Sequence, residues 1–184
     1  VEITVGPSVL SLVAAGLYLF VAAFAMSAFW MASSRQQIVW HRGAWVAIAA
    51  IFVILALMRV FGIEELMRVN LRMTLYSEGA YETRRTLQGP LFAIVFLTAA
   101  AIAAGFFYFV AKGVRGRRNL AALVAIACTG GMIFLAVLRL VSLHSVDELL
   151  YGPLKMNWIT DLGLSMAVLG SALRYRQVVS GAKV

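Results

Sequence analysis

From Ile3 to Ser34 the chain has no charged residue, and most of that length, Val9–Ala32, is one apolar run. Four more runs follow, at about Ala44–Met58, Leu91–Ala111, Leu120–Leu138 and Ile159–Leu173. A helix needs roughly 20 apolar residues to cross a hydrocarbon core of about 30 Å. The second and fifth runs reach that length only when their flanks are counted, Trp40, Trp45 and Arg59 for one and Trp158 and Tyr175 for the other. With 62% hydrophobic and 13% charged residues, the chain lies far from a soluble domain, which runs nearer half apolar and a quarter charged. The expectation is an all-α integral membrane protein, a single transmembrane domain over residues 1–184. Its five-helix bundle would have spans at about 9–32, 41–61, 89–112, 119–142 and 158–175. The first run has no basic segment ahead of it and no A-x-A site leading to a mature domain, so it reads as a retained span rather than a signal peptide.

Charge sets the expected orientation. The chain carries 16 Lys+Arg against 8 Asp+Glu. The first link holds Arg35 and Arg42, the third Lys112, Arg115, Arg117 and Arg118, and the tail Arg174, Arg176 and Lys183, all without an acid. The second link sets four arginines against Glu64, Glu65, Glu78 and Glu82, and the fourth sets Lys155 against Asp147 and Glu148. Five spans put the three acid-free segments on one side, which basic loops mark as cytoplasmic. Four spans would misplace either the tail or the third link. The N-terminus then lies outside and the C-terminus inside. The +8 balance reads as basic loops against anionic lipid; no nucleic-acid motif accompanies it, so the bilayer and other integral membrane subunits are the expected partners. Cys128 is the one cysteine, which rules out a disulfide framework or a cysteine metal site.

The second link opens with Ile63, Leu66, Met67, Asn70, Leu71, Thr74 and Leu75 at i, i+3, i+4, i+7 spacing, with Glu65, Arg68 and Arg72 on the other face. This predicts an interfacial amphipathic helix over about 63–76, on the outer surface. Ala100, Ala101, Ala104 and Gly105, then Gly130 and Gly131, then Gly163 and Gly170, predict close helix approach.

The polar chemistry concentrates in Leu138–Gly163, which ends one span, crosses a short link and opens another. Arg59, Arg139 and Asp161 each sit about one turn inside the outer boundary. An unpaired charge there is costly, so a partner is expected. One reading is an Arg139–Asp161 pair that locks two spans, with Arg59 snorkelling outward or meeting Glu64. The other is an anion or headgroup site. His144, Asp147, Asn157 and Trp158 belong to the same layer, and His144 also reads as a helix-end residue bonded to a nearby carboxylate. Tyr81, Arg84, Arg85 and Gln88 share one helical face that could lie on the 144–158 link, end a solvated helix, or dock another protein.

Two histidines in a membrane protein raise the question of haem. His41 precedes the second span and His144 follows the fourth, so the two are separated by about one hydrocarbon thickness, roughly 30 Å. One haem cannot take both as axial ligands. No cofactor is predicted, and a single-histidine haem or chlorin contact stays open. There is no H-E-x-x-H, G-x-S-x-G, P-loop or Cys/His cluster. The spans hold no acid chain of the kind that couples protons to transport, and no inverted repeat is evident. The chain leans away from an enzyme.

Three blocks, EGAYETRRTLQ (78–88), LRLVSLHSVDELL (138–150) and NWITDLG (157–163), resemble a family of small bacterial inner-membrane proteins of unassigned activity, often labelled isopropylmalate isomerase in genomes. The family blocks read roughly G-aromatic-Y-x-x-R-R-x-x-Q, R-x-x-x-x-H-x-x-D and N-W-x-x-E-L-G. The matching positions here are Gly79, Tyr81, Arg84, Arg85, Gln88, Arg139, His144, Asp147, Asn157, Trp158 and Gly163. Asp161 stands where the family usually has Glu, and Arg59-Val60-Phe61 stands where relatives tend to carry an Asn-Lys pair. The isomerase label fits poorly, since that enzyme is a soluble iron–sulfur protein. The resemblance implies the fold and the outer polar layer over spans two to five, and no established activity. Two functions are therefore expected: a non-catalytic accessory subunit of a larger assembly such as a respiratory or photosynthetic complex, or an outer-leaflet site for a quinone, lipid headgroup or glycan-lipid.

Overall fold

A computed structural model describes residues 9–63, 116–141 and 156–181, together with the single positions 66, 67, 97, 105 and 108. These form four helices: α1 (Val9–Ser34), α2 (Val39–Val60), α3 (Arg117–Val141) and α4 (Met156–Ser180). At 22 to 26 residues, each is ~33–39 Å long at 1.5 Å per residue, enough to cross a bilayer. Three of them, Val9–Ser34, Val39–Val60 and the Arg117–Arg139 part of α3, are apolar enough as well. The protein is thus all-helical among its described residues, with three long apolar candidate membrane spans rather than the five expected. Where the fifth span is expected there is a helix, α4, but Asn157, Asp161, Ser165, Ser171, Arg174 and Arg176 hold its apolar character below that of the three candidate spans. The third, about 89–112, lies outside the described residues except for Leu97, Gly105 and Tyr108, which are helical. Of the expected amphipathic segment, Ile63, Leu66 and Met67 are helical and the rest lies outside.

The tight α1–α2 turn follows from local backbone chemistry. Gln37 N donates to Ala32 O (2.8 Å) and Gln36 N to Ser33 O (3.1 Å). This is the paired bonding that closes a helix around a left-handed residue. That residue is Gln36, at φ 48°, where glycine is usual. At the far end of α2, Phe61 N returns to Leu57 O (2.9 Å) and Gly62 takes the left-handed position at φ 59°, which has no Cβ penalty for glycine.

Two polar contacts fix how the helices run. The starts of α2 and α3 meet through His41 and Asn119 (2.8 Å), while their last turns meet through Arg59 and Arg139, both bonded to Asp161. The two helices are therefore parallel, so α2 ends at one end of the bundle and α3 begins at the other. Helices α1 and α4 run opposite to them.

Packing buries small residues together with large ones such as Trp45, Ile48, Phe52, Met132 and Val168, and leaves other large apolar side chains on the outside. One face of α1 buries Ala15, Tyr18, Ala22, Ala25, Ala28 and Ala32 at helical spacing against α2, which lets the backbones approach closely. Phe52 meets the Tyr18 ring edge-on, centroids 5.9 Å apart. Leu19, Phe20, Ile54, Leu57, Ile159 and Leu162 are exposed, which suits lipid. A Cβ on Gly131 would meet Leu164 Cδ1 at 3.1 Å, so this glycine does serve the α3–α4 contact. At Gly163, Gly170 and Gly105 a Cβ meets nothing within 4 Å among the described residues. Gly163 and Gly170 lie on the exposed side of α4, so the expected close approach is not found at those two among the described residues.

Candidate functional site

The best-built polar site is centred on Asp161. It lies four residues after Asn157 on α4, so both side chains emerge on one face, and that face is turned inward: the two residues are 4% and 5% exposed. Arg59 and Arg139 stand in the last turns of α2 and α3, where a cation also favours the helix dipole. Arg139 Nη2 donates to Asp161 Oδ2 at 2.8 Å and its Nε donates to Asn157 Oδ1 at 2.7 Å. Arg59 Nη2 donates to the same Oδ2 at 3.2 Å. The Tyr18 hydroxyl lies 2.6 Å from Oδ1 and 2.7 Å from Oδ2. One carboxylate thus receives donors from α1, α2 and α3.

Desolvating a carboxylate and two guanidiniums is expensive, and only good geometry with additional hydrogen bonds recovers the cost. Here Asp161 has both oxygens engaged, and Arg139 donates through both Nε and Nη2. The arrangement ties four helices at one end of the bundle.

The expected Arg139–Asp161 pair is present, with Asn157 beside it. Arg59 corrects an expectation: its side chain is only 15% exposed and turns inward to Asp161 rather than snorkelling outward. The carboxylate already needed by Arg139 offers it a stronger partner than water at the interface. Trp158 is not brought into the cluster. At 38% exposed, it faces outward, as an aromatic residue at a membrane boundary does. Tyr81, Arg84, Arg85, Gln88, His144 and Asp147 lie outside the described residues, as does Glu64. Sequence reasoning missed Tyr18 altogether. Its one signal is a lone phenol in the middle of an uncharged run, which would need a hydrogen-bond partner if buried.

A second polar network occupies the opposite end. His41 is 1% exposed. Its Nδ1 lies 3.0 Å from the Tyr175 hydroxyl and its Nε2 2.8 Å from Asn119 Oδ1. An amide oxygen only accepts, so Nε2–H donates and Nδ1 accepts from Tyr175. Trp45 packs on Tyr175 with centroids 5.2 Å apart. Both ring nitrogens are thus engaged by protein, and His41 would have to surrender one of these bonds to ligate a haem or chlorin.

Compared with known proteins, the chain matches no family model, no curated protein and no solved structure.

Proposed function

We propose that this chain is a non-catalytic accessory subunit of a larger membrane assembly, respiratory or photosynthetic in kind, and a member of the small inner-membrane family whose motifs it resembles. The observation that carries the reading is the closure of the Asp161 cluster. Tyr18, Arg59, Arg139 and Asn157 spend donors and acceptors on one another and on Asp161, which makes this a structural clamp rather than a set of groups poised for chemistry. The broad apolar exterior of α1, α2 and α4 supports it too, as a surface for lipid and neighbouring subunits.

The proposal includes five spans with an outer amphipathic helix, N-terminus periplasmic and C-terminus cytoplasmic, in a bacterial inner membrane. Parallel α2 and α3 support the odd number. The chain has to pass from one end of the bundle to the other between Val60 and Arg117, and Leu91–Ala111 is apolar enough to do so. The acid-free basic segments support the orientation.

Native mass spectrometry after mild solubilisation from the native membrane tests this. The expected result is the chain in fixed stoichiometry with other integral membrane subunits. A lone chain that retains a quinone or lipid independently of Arg117 and Arg118 would overturn it in favour of an outer-leaflet binding site.

A further inference from the structure

At the end of the bundle opposite Asp161, a cavity of about 660 Å³ lies where α2 and α3 begin and α4 nears its end. Its polar lining is Gln36, Gln37, His41, Arg117, Arg118 and Asn119, and Val178 forms part of the apolar wall. No carboxylate lines it among the described residues. Nothing in the Asp161 clamp or the accessory-subunit reading uses it.

The wall is held in place. Gln37 Oε1 accepts from Arg118 Nη1 at 3.1 Å, and the His41 ring is fixed from both sides by Tyr175 and Asn119. Arg117 stands exposed beside it. Neither α2 nor α3 has an acid in its first turn, and Ile38 supplies no side-chain cap to α2. The positive ends of two helices therefore add to the field of the two arginines. Trp30 and Trp40, both exposed, lie near this same end, and tryptophans settle at the headgroup level of a bilayer. The cavity thus combines guanidiniums that suit phosphate, room for more than the phosphate itself, and a position where headgroups are found.

We infer that this cavity binds a phosphate-bearing anion, either an anionic phospholipid headgroup or free phosphate. The inference is independent of the accessory-subunit reading, since it concerns the opposite end and holds for a lone chain.

The test uses the full chain in nanodiscs of mixed phosphatidylglycerol and phosphatidylcholine, followed by native mass spectrometry. If the headgroup is the ligand, phosphatidylglycerol is retained about tenfold over phosphatidylcholine, the ratio that one charge-assisted contact supplies. If free phosphate is the ligand, inorganic phosphate raises the melting temperature above chloride of the same ionic strength. Arg117→Gln with Arg118→Gln removes whichever response the wild type gives. Val178→Trp, which fills the cavity and keeps both arginines, removes it as well and carries the test alone should the double variant fail to fold. Arg35→Gln with Arg174→Gln removes equal charge at the same end but outside the cavity, and keeps the response. The inference is overturned if the wild type retains both lipids equally and ignores phosphate. Survival of the response in the Arg117/Arg118 variant or in Val178→Trp overturns it too, as does equal loss in the Arg35/Arg174 pair, which would mark a diffuse basic surface.

Discussion

Asp161 accepts from three helices, so losing any one donor has a cost set by what is left unpaired. Arg139→Ala strands Asn157 and weakens the hold on a buried carboxylate. Breaking one partner of a buried pair costs about 3–5 kcal/mol, less near an interface and less with a second cation present. Arg117→Ala, at an exposed position, is expected to cost little. Thermal unfolding of the two variants in detergent checks this, and equal melting temperatures would remove the clamp from the argument. Tyr18→Phe keeps the ring on Phe52 but deletes the donor to both carboxylate oxygens, so a loss of about 1.5–3 kcal/mol is expected, the range for a hydrogen bond to a charged group. The same unfolding assay reads it. The charged members of this site were legible because a charge inside a bilayer boundary needs a partner. Which partner was legible only for Arg139 and Asp161, on spans joined by a short link. Tyr18 is 143 residues from Asp161, and nothing local ties them. For Arg59 local reasoning offers only water or Glu64, since nothing in the sequence tells that α2 ends beside α4.

At the scale of elements, helix existence was the most legible feature, because apolar length alone sets it. The helix ends and the packing faces were less so. Gly131, Gly163 and Gly170 look alike in sequence, yet among the described residues only Gly131 faces a neighbouring side chain within reach, since the face a helix buries depends on partners that are remote in sequence. The α1–α2 turn also could not be read, because it uses Gln36 where glycine is the usual signal. A non-glycine residue in the left-handed region costs about 1–2 kcal/mol, part of which glycine forfeits through its greater freedom when unfolded. Gln36→Gly is therefore expected to stabilise the protein by ~0.5–1 kcal/mol, seen as a higher melting temperature. A lower one would mean that the Gln36 side chain makes a contact worth more than the backbone strain.

For the whole molecule, the question that matters most is how many times the chain crosses. Three described helices are apolar and long enough, and α4 runs beside them with its polar face turned inward on the clamp. The direction of each helix decides the rest. Because α2 and α3 are parallel, Phe61 and Arg117 stand at opposite ends of the bundle, whereas Ser34, Arg117 and Ser180 share one end. Single cysteines at these four positions, in a Cys128→Ala background, turn this into an accessibility measurement with a membrane-impermeant thiol reagent. Phe61→Cys is expected to label in intact spheroplasts, and Ser34→Cys, Arg117→Cys and Ser180→Cys only after permeabilisation. That pattern requires an odd number of crossings between Phe61 and Arg117, and five in all is the simplest count that meets it. The fully inverted pattern would keep the five crossings and reverse the orientation drawn from the basic segments. Labelling of Arg117→Cys together with Phe61→Cys would break the parallel arrangement itself, and with it the proposed count of five, because parallel helices that bring Arg59 and Arg139 to the same carboxylate have Phe61 and Arg117 at opposite ends.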